Sequence, residues 1–329
     1  MLQIIDISKP TEEIKTKLFK ACTEQGFLFV KGHGIPQEHI DSMFALSKDF
    51  FKVDQSIKDK YPIQNNVGYT SLTQEQLDVR KSKDYKEAYN IGPINLKTGQ
   101  IDDVKVHPDI FQKNENTVNT TTTCLVDVAK KLFEHILNTF ELDQSEINEV
   151  LPSLNGKTNT MLRMLRYPQL RDINEDVNND VRAGAHTDYG LLTLLFQQKG
   201  QQGLQLNIDD EWLDIDYLAS DNENEGAPLV VNFGDLLQFW TNGVVKSTVH
   251  RVLVPESRLQ DRYSIVCFVH PENNTSLKGW TSPKIPADAK DKPDVTAHEH
   301  LLMRLEQTYV YTKHRGVVNE YPSFIIIII

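Results

Sequence analysis

The chain has 329 residues, with 35 Lys and Arg against 46 Asp and Glu, a formal net charge of -11 and a pI near 5.4. Hydrophobic residues make up 39% and charged residues 25%, which excludes a disordered or collagen-like chain and allows one large globular domain or two ordinary ones. The acidic balance lacks the basic footprint that nucleic acid or anionic lipid requires, so neither is expected as a partner.

Cys22, Cys124 and Cys267 are odd in number and far apart, so neither a disulfide framework nor a thiolate zinc cluster can be built from them. The N-terminal residues MLQIIDISKP contain no basic region ahead of an apolar core, the mark of a secretory signal. No stretch approaches the ~18 apolar residues that span a bilayer. The expected compartment is the cytoplasm.

In chain order, Ile14, Leu18, Ala21 and Cys22 recur at helical spacing, and Gly26 follows as a C-cap. Phe27, Leu28, Phe29 and Val30 read as a short buried strand. His33, Gly34, Ile35 and Pro36 form a turn, and Ile40, Phe44, Leu46 and Phe50 suggest a second helix. Residues 62–105 are mixed and loop-rich. The Asn- and Thr-dominated stretch 112–123 reads as a linker or loop. After it, Leu125, Val126, Ala129, Leu132, Phe133, Ile136, Leu137 and Phe140 form a broad helical stripe.

From Met161 to His270 the period changes to two. Candidate strands are 161–167, 182–186, 191–196, 203–207, 212–215, 228–232, 248–254 and 262–269. Short strands at this spacing indicate a sandwich, jelly roll or barrel. A last helix is expected over 296–311. The five isoleucines at 325–329 are a compositional oddity with no function assigned.

Gly184, Ala185, His186, Thr187 and Asp188 lie at the end of a candidate strand. Alternation would give His186 and Asp188 one face and turn Thr187 away. These are two members of a 2-His-1-carboxylate facial triad, which leaves adjacent coordination positions open on Fe(II). His250, on another strand, completes it. An isolated HxD is more often a hydrogen-bonded pair than a metal site. The pattern gains specificity from Arg262 and Ser264, a guanidinium and a hydroxyl at i, i+2 suited to clamping a carboxylate. His298 and His300 form an HxH on a helix, where side chains diverge, and surface or helix-end roles are expected for them. His33, His39, His107, His135 and His314 have no partners at ligand spacing.

Taken together, these motifs resemble the isopenicillin N synthase-like branch of the Fe(II)/2-oxoglutarate-dependent oxygenases. The resemblance runs over nearly the whole chain, through the Gly26 to Ile35 segment, Asp84-Tyr85-Lys86-Glu87, Arg166-Tyr167-Pro168, His186-Thr187-Asp188, Gly203-Leu204-Gln205-Leu206, Trp212, Asn232-Phe233-Gly234-Asp235, His250-Arg251-Val252 and Arg262-Tyr263-Ser264. It implies a mixed, β-rich fold: a distorted double-stranded β-helix (jelly roll) flanked by α-helices. One integrated domain is expected, with an N-terminal region at 1–110, a long helix at 117–151, the core at 158–275 and a C-terminal helix and tail at 276–329.

Carried over residue by residue, the resemblance assigns His186, Asp188 and His250 to Fe(II). Arg262 and Ser264 would grip the distal carboxylate of 2-oxoglutarate, with Tyr167 assisting. O2 would be the oxidant and ascorbate a candidate reductant, a small molecule the substrate, and succinate and CO2 the coproducts. Plant-type members often read Asn-Tyr-Tyr-Pro where this chain has Leu165-Arg166-Tyr167-Pro168. The Asn contribution is therefore absent or replaced, and Arg163 shares the parity needed to replace it. Leu192, Leu194 and Phe196 would keep the site dry. Asn232 could lie near the iron, core packing is expected of Phe268, and His270 is placed at a strand end. Asp84, Lys86 and Glu87 read as solvated charges near the pocket entrance. The alternatives are an Fe(II) oxidase that uses the Arg262–Ser264 pair on a substrate carboxylate, and a non-catalytic binding protein of the same fold.

Overall fold

Residues 3–31 form a strand–helix–strand unit in the computed structural model, which describes residues 1–77, 84–169, 181–253, 260–288 and 292–313. Strand β1 (Gln3–Asp6) runs parallel to β2 (Phe27–Lys31), and α1 (Thr11–Lys20) connects them with Ile14 and Leu18 buried. A π-helical turn, Ala21–Gln25, ends at Gly26, whose φ of 68° lets its N–H reach the Ala21 carbonyl. A Cβ there would stand 2.2 Å from Thr248 Oγ1, so both conformation and space call for glycine.

Helices α2 (Gln37–Lys52) and α3 (Gln55–Lys58) follow. Four short strands then occupy the stretch expected to be loop-rich: β3 (Gly68–Thr70), β4 (Glu87–Ile91), β5 (Ile94–Asn95) and β6 (Gln100–Ile101).

The polar stretch 112–123 is helical. It includes the end of α4 (Asp109–Lys113) and the start of α5 (Glu115–Thr139). Thr121 and Thr122 bond back to the carbonyls of Thr117 and Val118 at 2.8 and 3.2 Å, which satisfies their hydroxyls and lets both side chains be buried. Packing of α5 against α1 and α2 overrides the weak helix propensity of these residues. Glu141 then adopts φ 59°, and Asp143 caps a separate helix, α6 (Gln144–Val150).

The remaining strands are β7 (Met161–Tyr167), β8 (Val181–His186), β9 (Leu192–Phe196), β10 (Leu204–Ile208), β11 (Glu211–Asp214), β12 (Leu229–Phe233), β13 (His250–Leu253) and β14 (Arg262–Val269). Two further helices, α7 (Asp235–Trp240) and α8 (Ala297–Lys313), complete the described elements. An eight-stranded sheet runs β1-β2-β12-β9-β14-β7-β4-β3, and a four-stranded sheet runs β11-β10-β13-β8. The non-consecutive order within two facing sheets is that of a jelly roll.

The outer face of the large sheet packs on the helices in one apolar core. There Leu192, Leu194 and Phe196 meet Leu132, Phe133 and Trp240. Among the described residues no helix is long and apolar enough to cross a membrane. The three cysteines are free. The 325–329 tail lies outside the described residues.

Candidate active site

Alternation along the strands sends one set of side chains inward, between the sheets. Tyr167, Leu165 and Arg163 of β7, Thr193 and Leu195 of β9, and Arg262, Ser264, Val266 and Phe268 of β14 line one wall of a cavity. Ala183 and His186 of β8, Leu204 of β10 and His250 and Val252 of β13 line the other. Phe268 packs in the core, as expected, and also lines the cavity. The apolar shield comes from Leu195 and Val266, because Leu192, Leu194 and Phe196 point to the opposite face.

His186, Asp188 and His250 each present a ligand-type atom, all within 4.8 Å of one another. Asp188 Oδ1 lies 3.8 Å from His186 Nε2 and 3.7 Å from His250 Nε2. Strand pairing explains the two imidazoles: His250 and His186 are register partners, and their rings are 4.3 Å apart. Asp188 arrives differently. Strand β8 ends at His186, so the carboxylate sits in the following loop rather than on the strand. Asp188 Oδ2 accepts hydrogen bonds from Thr193 Oγ1 and Asn232 Nδ2, both at 2.6 Å, and its backbone carbonyl accepts from the Asp235 N–H at 2.7 Å. Thr187 does turn away, and donates to Asp235 Oδ2 at 3.0 Å.

The imidazoles are oriented from behind. His186 Nδ1 faces the Gly184 carbonyl at 2.7 Å, and His250 Nδ1 faces the Thr248 carbonyl at 3.1 Å. A carbonyl only accepts, so each Nδ1 carries a proton and each Nε2 is the ring nitrogen left facing Asp188. Burial, with the His250 ring alongside, pushes His186 down to about 3, so it is neutral at physiological pH. Burial acts to raise the Asp188 carboxyl, but the two histidines and the Thr193 and Asn232 bonds outweigh it and hold it below its ordinary value. Two imidazoles and a carboxylate form the donor set that suits a divalent transition metal.

Along β14 the cavity becomes cationic. Arg262 Nη1 donates to Ser264 Oγ at 2.7 Å, while its Nε is held by the carbonyls of Gln201 and Gln202 at 3.1 and 3.2 Å. Tyr167, the register partner of Arg262, lies with its ring 5.0 Å from the guanidinium carbon. All three polar groups of the expected carboxylate clamp therefore meet at one place.

Other residues depart from their sequence reading. Asp84, Lys86 and Glu87 are buried at 3%, 4% and 2% exposure rather than solvated. His300 is buried against Phe239, not on the surface. Arg163 faces the cavity and pairs with Glu75 at 2.6 Å. Glu75 and Thr193 carried no motif, and inward parity on β9 could have found Thr193; Phe27 lay within the Gly26 to Ile35 segment but was given no place at the site.

Fold and side-chain geometry define a class: a jelly-roll protein with two imidazoles and a carboxylate arranged as a facial triad beside a buried guanidinium. Residues 2–110 match the family described as the N-terminal region of the non-haem dioxygenase in morphine synthesis, and residues 159–271 match the 2OG-Fe(II) oxygenase superfamily. The chain is 31% identical to UPF0676 protein C1494.01 of Schizosaccharomyces pombe, over 94% of this chain and 92% of that one. It is 28% identical to homoarginine-6-hydroxylase 2-ODD-C23 of Glycine max, over 91% and 90%. Among solved structures, a full-length Neurospora crassa protein in complex with alpha-KG and thymine superposes with a TM-score of 0.75 at 26% identity, covering 94% of this chain and 97% of that one.

This chain belongs to the 2OG-Fe(II) oxygenase family. It is an Fe(II)- and 2-oxoglutarate-dependent oxidoreductase that uses O2.

Proposed function

We propose that His186, Asp188 and His250 hold the Fe(II), and that Arg262, Ser264 and Tyr167 bind the distal carboxylate of 2-oxoglutarate. The enzyme then oxidises a small-molecule substrate, in the cytoplasm, without nucleic acid or membrane as partner. One observation carries the reading: the three ligand-type atoms within 4.8 Å share a cavity with the Arg262 clamp. The donor set passes a test of fit, since each imidazole spends Nδ1 on a backbone carbonyl and turns Nε2 toward Asp188 Oδ1, while Oδ2 is occupied.

When bound, ferrous iron and 2-oxoglutarate would activate O2, which supplies the oxidising equivalents for attack on an unactivated C–H bond. The protein's own part is geometric and electrostatic. The Gly184 and Thr248 carbonyls fix the imidazole tautomers, and Thr193 and Asn232 fix the carboxylate rotamer. Burial works to lower the Arg262 guanidinium, but this strong base remains a cation for a carboxylate to pair with. Phe27, Leu77, Leu195, Val266 and Phe268 exclude water from the cavity.

Residues 1–110, 117–151, 158–275 and 276–329 act as one unit in this reading. It is supported by β2, which lies inside the large sheet and pairs with β12 of the core. Anaerobic titration of the Fe(II) protein with 2-oxoglutarate tests the assignment. A visible charge-transfer band is expected, and Asp188→Ala should lose both the band and succinate release. A variant that kept them would refute the triad. An untargeted metabolite screen reading stimulated succinate release identifies the substrate.

A further inference from the structure

Two ion clusters meet at the start of strand β4, where Glu87 opens the strand and Lys86 immediately precedes it. On one face, Glu87 accepts from Lys58 at 3.0 Å, Arg166 at 2.6 Å and the Tyr69 hydroxyl, away from the cavity. On the other, Lys86 Nζ donates to Asp84 Oδ2 at 2.9 Å and pairs with Glu75 Oε2 at 3.2 Å. Burial opposes the Lys86 charge, yet Glu75 and Asp84 outweigh it and raise the ammonium above its ordinary value.

Ion pairing leaves Asp84 Oδ1 unexplained. That oxygen accepts the Gly184 N–H of β8 at 3.0 Å, a bond formed 100 residues away in sequence. Here β8 is irregular. His186 pairs with His250 but Ala183 pairs with Val252, so three steps along β8 oppose two along β13. Strict alternation would send Ala183 and His186 to opposite faces. The bulge brings both into the cavity, as such insertions do when they re-aim a side chain. The carbonyl of the same Gly184 receives the His186 Nδ1 proton at 2.7 Å. Lys86, Asp84, Gly184 and His186 thus form one continuous chain of bonds.

We propose that Asp84, backed by Lys86, is a positioning residue for the metal site. It pins the β8 bulge at Gly184, and so fixes the carbonyl that sets the tautomer and direction of His186. This rests on reading His186 as a metal ligand, and the experiment separates the two claims.

The probe is cobalt(II) alone, titrated into metal-free protein, with affinity and d–d spectrum as readouts. Asp84→Ala should weaken cobalt binding by about 10- to 100-fold and shift the spectrum, whereas Asp84→Asn, which keeps an acceptor oxygen for Gly184 but loses the Lys86 ion pair, should recover part of that loss. Glu87→Gln breaks the equally buried cluster on the opposite face. It should lower the melting temperature and leave cobalt affinity and spectrum unchanged.

The relay is overturned if Asp84→Ala binds cobalt like the parent, if Asp84→Asn is as defective as Asp84→Ala, or if Glu87→Gln weakens cobalt binding equally. Should Asp84→Ala not fold, Lys86→Met decides. It retains the carboxylate but removes its tether, so weaker cobalt binding supports the relay and parental binding overturns it. Asp188→Ala is the control for the underlying assignment: parental cobalt binding there overturns the triad itself.

Discussion

Arg262 illustrates how a single side chain is committed before any ligand arrives. Its Nε is spent on two backbone carbonyls and one Nη on Ser264, so the guanidinium is held in place by the protein. A buried charge-assisted contact of this kind contributes about 1.5–3 kcal/mol, so Arg262→Met should raise the KM for 2-oxoglutarate by roughly 10- to 100-fold. Fe(II) affinity should stay unchanged, because Arg262 touches none of the three triad residues. Succinate release against 2-oxoglutarate concentration, with iron binding measured in parallel, checks this; an unchanged KM rejects the clamp. Arg262 and Ser264 were legible because their spacing follows the strand period, and His186, Asp188 and His250 because their residue types and order form a recognisable motif. Asn232 was read as lying near the iron, but its bond to Asp188, like that of Thr193, depends on a partner distant in the sheet.

At the scale of elements, the Asp188 loop depends on close backbone packing. A Cβ on Gly234 would stand 2.2 Å from the Gly190 carbonyl oxygen and 2.9 Å from that of Asp188. Backbone cannot yield as a flexible side chain does, so Gly234→Ala should displace the loop. The expected result is a lower melting temperature together with metal affinity reduced by about 10-fold or more. Parental metal affinity in a destabilised variant would show that the loop tolerates the shift.

The same scale shows why composition misread α5. Thr121 and Thr122 look like loop residues, yet they bond back to their own helix and bury against its neighbours. It also shows why HxD on a strand was an incomplete argument. The strand stops at His186, and a bulge behind it sets which way that ring points.

Across the whole molecule, buried neutral histidines tie stability to pH. Burial pushes His107, His270 and His300 each down to about 4. The unfolded chain titrates them near 6.5, so between these values it binds more protons than the folded protein. The stability contribution is therefore complete above about pH 6.5 and is lost as pH falls toward 4. Each should cost about 2 kcal/mol between pH 7 and pH 5. Glu75, held down to about 2 chiefly by Arg163 and Lys86 against the opposing effect of burial, adds its own loss only at still lower pH. Denaturant midpoints at pH 7 and pH 5 measure the fall. His107→Gln, at the ring whose Nδ1 meets the Tyr89 hydroxyl at 3.0 Å, should remove roughly a quarter of it, since buried His186 adds a similar loss. An undiminished fall would exclude His107 as a source.

The sequence alone determined the family and the β-rich core, and it singled out His186, Asp188, His250, Arg262 and Ser264, which the fold brings to one cavity. Periodicity and short-range spacing are local properties, legible before it is known which strands meet. Tertiary structure decided what depends on distant partners. Asp84 and Lys86 look like surface charges until β8 and the Glu75 segment close over them. Thr193 rather than Leu194 faces the metal site because only the assembled sheet fixes which side of β9 is inside. Burial turns an ordinary carboxylate, ammonium or imidazole into a positioned one, and burial is a property of the fold.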